Sequence, residues 1–105
     1  MTKFDEFWET YHSGHTNGHV DFDWFMEALA STDFDERNFK FRVYVNGFTI
    51  GDKHYVEEGH RVFTKRDDAL GFVFDECTVF NANLVDVWYS KKFQAMSIYL
   101  TKENI

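Results

Sequence analysis

The chain contains no proline, a single cysteine and no long apolar run, and each absence narrows what it can be. Without proline, repeats or low-complexity tracts there is nothing that reads as a linker, so residues 1–105 are expected to form one domain. The lone Cys77 cannot close an internal disulfide and reads as a small hydrophobe in a reducing compartment. No segment approaches the roughly eighteen apolar residues of a membrane-spanning helix. The start Met1-Thr2-Lys3-Phe4-Asp5-Glu6 lacks the apolar stretch of a signal peptide. The expectation is a cytoplasmic protein without membrane contact.

Basic residues are nearly missing from the first third. Over residues 1–36, Lys3 stands alone against Asp5, Glu6, Glu9, Asp21, Asp23, Glu27, Asp33, Asp35 and Glu36, whereas the remainder holds ten bases and nine acids. The net charge of -7 therefore originates in that opening stretch. Such asymmetry argues against direct nucleic-acid or anionic-membrane binding and for a basic partner surface. Catalytic signatures are missing too. Gly47-Phe48-Thr49-Ile50-Gly51 is no phosphate loop, and neither G-x-S-x-G nor H-E-x-x-H occurs. Cys77 falls on the expected core face of a helix, where a thiol is usually inert. We read the protein as non-catalytic and without a cofactor.

What the chain has in excess is aromatic side chains, 20% of its residues with 13 Phe, more than so short a chain can bury completely. Phe4, Phe7, Trp8 and Tyr11 fall at i, i+3, i+4 and i+7, which predicts a helix over residues 2–12. His12, His15 and His19 come next, in a segment with two Gly. Three imidazoles near carboxylates are candidate ligands for zinc, nickel or copper, although the spacing is not a helical metal signature and no second Cys completes a structural site. The bland reading, incidental His in a polar loop, is preferred.

Asp21 is a good N-cap, Asp23 adds negative charge to a first turn, and Phe22, Phe25, Met26 and Leu29 repeat at helical spacing to about residue 31. Trp24 lies off that stripe beside Asp23 and Glu27. Ser31-Thr32-Asp33-Phe34-Asp35-Glu36 makes an acidic connection. The strongest local signal comes next: Asn46-Gly47 between two alternating runs predicts a tight hairpin with Val45 opposite Phe48 and Val43 opposite Ile50. Phe39, Phe41, Val43 and Val45 would then share the core face, and Lys40, Arg42 and Tyr44 the wet one.

Arg61-Val62-Phe63 reads as a short strand. Thr64-Lys65-Arg66-Asp67 has the form of a capping box with Asp in the usual Glu position, opening a helix over about 65–78 with Ala69, Leu70, Val73, Phe74, Cys77 and Phe80 inward. Two further strands are expected, Leu84 to Tyr89 and Gln94 to Leu100, joined by an even-length loop that groups Val85 and Val87 with Met96, Ile98 and Leu100. The fold class implied is α+β, an antiparallel sheet of four or five strands with two N-terminal helices and one later helix on one face.

The reading of function rests on the charge. We expect a protein-binding module that inhibits a basic, nucleic-acid-handling partner, with Asp21, Asp23, Glu27, Asp33, Asp35 and Glu36 supplying charge and Trp24 and Phe34 the aromatic anchors. In size and acidity, though by no motif, it resembles inhibitors carried by phages or plasmids against defence nucleases and immunity proteins that neutralise nuclease toxins. Two other classes compete. One is a metal- or ligand-binding protein built on His12, His15 and His19; the other is a homo-oligomeric scaffold, a homodimer in its simplest form, held by exposed aromatic area.

Overall fold

Along residues 39–43 burial alternates: Phe39, Phe41 and Val43 are enclosed while Lys40 and Arg42 are exposed, as in a strand with one covered face. In the structure, a computed structural model that describes residues 2–14, 21–34, 37–45, 48–49, 54–55 and 61–102, this run is β1 (Lys40–Val45). It belongs to a four-stranded sheet with β4 (Arg61–Phe63), β5 (Ala82–Ser90) and β6 (Ala95–Lys102), in the order β4-β1-β6-β5. Three helices, α1 (Lys3–Gly14), α2 (Phe22–Ser31) and α3 (Arg66–Thr78), lie on one side of it. The α+β class and the positions of the helices agree with the sequence reading.

The pairing within the sheet departs from that reading. β1 runs antiparallel to β4 but parallel to β6, with Phe41 beside Met96, Val43 beside Ile98 and Val45 beside Leu100, so the sheet is mixed and not antiparallel throughout. The predicted hairpin register also fails. β1 already has neighbours on both edges, and β2 (Phe48–Thr49) pairs instead with β3 (His54–Tyr55) in a separate two-stranded sheet. Asn46 and Gly47 lie outside the described residues. Ile50 lies outside them as well, and Val43 is already paired with Arg61 on one edge and Ile98 on the other, so the strand neighbours of β1 come from elsewhere in the chain.

β5 and β6 pair as expected where Val87 stands opposite Ile98 and Tyr89 opposite Met96, but Leu84 and not Val85 stands opposite Leu100. The register slips between Leu84 and Asp86, and that bulge is why Leu84 and Val85 are both buried although adjacent. On the far side of the sheet Tyr44 stacks on Tyr99 with centroids 4.8 Å apart and is itself buried, so this position of the expected wet face is enclosed.

α1 and α2 pack on each other and meet the sheet through a continuous aromatic cluster. Phe4 contacts Phe7, Phe25, Phe34 and Tyr89 at centroid distances of 5.4, 6.2, 5.9 and 4.9 Å. Thr32, buried just past α2, ties the layer together: its hydroxyl donates to the Ala28 carbonyl at 2.6 Å and accepts from the Phe4 N–H at 3.1 Å, while its own carbonyl accepts from the Arg66 guanidinium. The expected inward face of α3 holds at Ala69, Leu70, Val73 and Cys77 and fails at its two outer aromatics. Ala69 and Val73 are buried and Phe72 packs on Phe63 at 5.4 Å, whereas Phe74 and Phe80, predicted inward, are exposed. The Arg61 guanidinium over the Phe72 ring, 5.1 Å from its centroid, helps to draw that side of the helix toward β4. Among the described residues no helix is long and apolar enough to cross a membrane.

Candidate protein-interaction surface

Opposite signs of charge fall on different layers of this fold. The helices hold Asp5, Glu6, Glu9, Asp23, Glu27, Asp67, Asp68, Asp75 and Glu76 against Lys3 and Arg66 alone. The described strands hold Lys40, Arg42, Arg61 and Lys102 against Asp86 alone. The helical layer is therefore the acidic side of the molecule, and its field can act on a partner before contact.

The residues singled out from the sequence divide within that layer. Asp21 caps α2, its carboxylate accepting the Trp24 N–H at 3.1 Å, so it serves the fold as well as the surface. Asp23 and Glu27, one helical turn apart, are exposed, and Glu27 carries an ion pair with Lys3 of α1. Trp24 is 37% exposed, its ring set edge-on to Phe7 at 5.5 Å, so part of the indole is held and part is presented. Asp33 is exposed. Phe34 is half-buried, 4.6 Å from Phe39 and 5.5 Å from Phe41, and its ring is committed to the core rather than offered as an anchor. Asp35, Glu36, His15 and His19 lie outside the described residues, as does the side chain of His12. Among the described residues no group of three His, Cys, Asp or Glu could hold a metal.

One feature of the surface was not read from the sequence: an open concavity lined by Asp5, Trp8 and Glu9 of α1, Tyr89 of β5 and Lys91 of the β5–β6 turn. The Trp8 and Tyr89 rings form an edge-to-face wall, 5.9 Å between centroids. Asp5 is its most firmly held charge. It closes a capping box with Thr2, accepting from the Thr2 N–H at 3.1 Å and hydroxyl at 2.8 Å, while the Asp5 N–H donates back to that hydroxyl at 3.2 Å. The Lys91 ammonium sits 3.3 Å from the same carboxylate. Burial pushes the Asp5 carboxyl upward, but the Thr2 hydrogen bonds and the Lys91 charge together outweigh it and hold the group below its ordinary value. Tyr89 moves the other way, raised by burial and by the neighbouring Asp5 carboxylate. The concavity thus joins a fixed negative charge to aromatic surface.

The signal that could have located it was present in part. Thr2-Lys3-Phe4-Asp5 is a capping-box pattern, and Trp8 and Glu9 stand one turn later. Tyr89 and Lys91 join them only through the fold. Comparison of the chain with protein-family models, with curated proteins and with solved structures finds no match.

Proposed function

We propose that this chain is a non-catalytic protein-binding module that presents its acidic helical layer to the basic surface of a nucleic-acid-handling protein and blocks that surface. The observation that carries the reading is the segregation of charge, with carboxylates concentrated on α1, α2 and α3 and most strand charges positive. Long-range attraction between this layer and a basic groove speeds encounter and sets specificity, while the presented part of Trp24 and the Trp8–Tyr89 wall supply desolvated contact. A nuclease or defence effector is the partner class this fits, and a cytoplasmic setting goes with it.

The test is inhibition. The purified chain is titrated against basic nucleases and nucleic-acid-binding proteins, with substrate cleavage or retention as the readout. The double variant Asp23→Asn/Glu27→Gln is run in parallel. Inhibition that weakens with added salt and with the double variant supports the reading. Inhibition, or binding, that persists unchanged at high salt and in the variant overturns it.

A second reading rests on a different observation. Phe74, Val79 and Phe80 are exposed around the end of α3, apolar area of the kind that drives self-association. Light scattering across a hundredfold concentration range distinguishes it, since an inhibitor of this design needs no second copy.

A further inference from the structure

The concavity between α1 and the β5–β6 turn already contains a cation of its own. Lys91 reaches Asp5 at 3.3 Å, yet its side chain is 72% exposed while that of Asp5 is only 16% exposed. The carboxylate is built in, held by the capping box with Thr2, whereas the ammonium is a solvated guest from a surface turn. A lysine of this kind adds little to stability and is displaced at small cost. It also uses little of what surrounds it: the ammonium meets Asp5 as a point charge and cannot lie flat against the Trp8 and Tyr89 rings.

We infer that this concavity is the docking point for an arginine side chain of the basic partner, which takes the place that Lys91 now fills. A guanidinium is planar and charged at any working pH, and it can lie against an indole or phenol ring while its N–H edges meet a carboxylate. Asp5 and Glu9, one turn apart on α1, stand on the same side of the helix as Trp8, so edge and face of one guanidinium are served by a single element. Lys91 then acts as an internal competitor. It keeps the site satisfied when no partner is bound and selects for groups that stack, because a second lysine gains nothing over the resident one. This rests on the acidic layer binding a basic partner, and adds where on that layer the specific contact lies and which side chain makes it.

The experiment uses the full chain and two defined probes, a nine-residue polyarginine peptide and a polylysine peptide of equal length, titrated by calorimetry at two salt concentrations. Arginine peptide is expected to bind at least about fivefold more tightly than lysine peptide, a margin that stacking on an aromatic ring accounts for. Lys91→Ala should tighten arginine-peptide binding by about two- to fivefold, and by more than Lys92→Ala, which removes the same charge one residue away. Glu9→Gln, at an exposed position, should reduce the preference for arginine while urea denaturation checks that the fold is kept. Asp23→Asn/Glu27→Gln should weaken both peptides and leave the preference in place. Equal affinity for the two peptides, or Lys91→Ala no different from Lys92→Ala, overturns the arginine site while leaving the acidic surface standing. Failure of both peptides to bind at low salt overturns the arginine site and the acidic surface together.

Discussion

The starts of α1 and α3 carry the same pattern, Thr2-Lys3-Phe4-Asp5 and Thr64-Lys65-Arg66-Asp67, and the fold treats them differently. At α1 the hydroxyl and the carboxylate complete a reciprocal capping box. At α3 the N-cap is Lys65, which makes no side-chain capping bond, and Asp67 is 84% exposed beside Arg66 at 3.8 Å. The packing diverges in the same sense. α1 buries Phe4 and Phe7 completely or nearly so, whereas α3 buries only Ala69 and Val73 and leaves Phe74 half exposed. A capping pattern is a local offer, and it is taken up where tertiary contacts seat the first turn in the same position. At α1 the Phe4 ring and the Phe4 N–H on Thr32 set the frame; at α3 the Arg66 reach to the Thr32 carbonyl sets it one residue later.

Substitutions at the two helices put this contrast to the test. The largest effect is expected at Phe4, where Phe4→Ala should cost about 3–5 kcal/mol of unfolding free energy in urea denaturation. An exposed aromatic of α3, Phe74, should change stability by only about 0.5 kcal/mol or less when replaced by Ala. Equal losses would mean that α3 is as firmly seated as α1.

Thr32→Val keeps the shape of the residue but removes the hydroxyl that joins α1 to α2, leaving the buried Phe4 N–H without its acceptor. A loss of about 1–3 kcal/mol is expected. Amide exchange should quicken at the start of α1 and stay unchanged at the start of α3, whose link uses the Thr32 carbonyl.

Asp5→Asn should cost about 1 kcal/mol and Asp67→Asn almost nothing. The two also differ in acid. Because the folded structure holds the Asp5 carboxyl below its ordinary value, its contribution is present above the unfolded value and is lost as pH falls through the folded one. The native chain should therefore lose stability on acidification, and Asp5→Asn should flatten part of that slope. An unchanged slope would show that the box contributes nothing in solution.

The smallest effect concerns Cys77 on α3, whose thiol is pushed up to about 11 by burial and by Glu76. At pH 8 it should carry about two orders of magnitude less thiolate than an ordinary cysteine and alkylate correspondingly slowly. Alkylation at the rate of a free thiol would indicate that the second half of α3 opens readily.

Much of this architecture was legible in residue spacing. The stripe from Phe4 to Tyr11, the Asp21 cap and the even-length loop before Gln94 each located an element, because in each the local preference and the buried face agree. The β1 pairing was not legible, since Asn46-Gly47 speaks only for its immediate neighbours and the strand that lies beside β1 comes from residues 95–102. On α3 the spacing located Ala69, Leu70, Val73 and Cys77 but not the packing of Phe72, which finds its place on Phe63 and under Arg61, contacts that exist only once β4 is beside β1. The concavity was hidden likewise, with Trp8 and Tyr89 near opposite ends of the chain yet in ring contact.

Thr32 touches the ends of three helices at once, through its hydroxyl to Ala28 and Phe4 and through its carbonyl to Arg66. A joint of that kind fixes the relative pose of the elements that carry the carboxylates. A partner of the kind proposed above would meet a shape set in advance, and little conformational freedom would be surrendered on complex formation. Loosening this one threonine should slow no collision, yet it should shorten the lifetime of whatever complex forms.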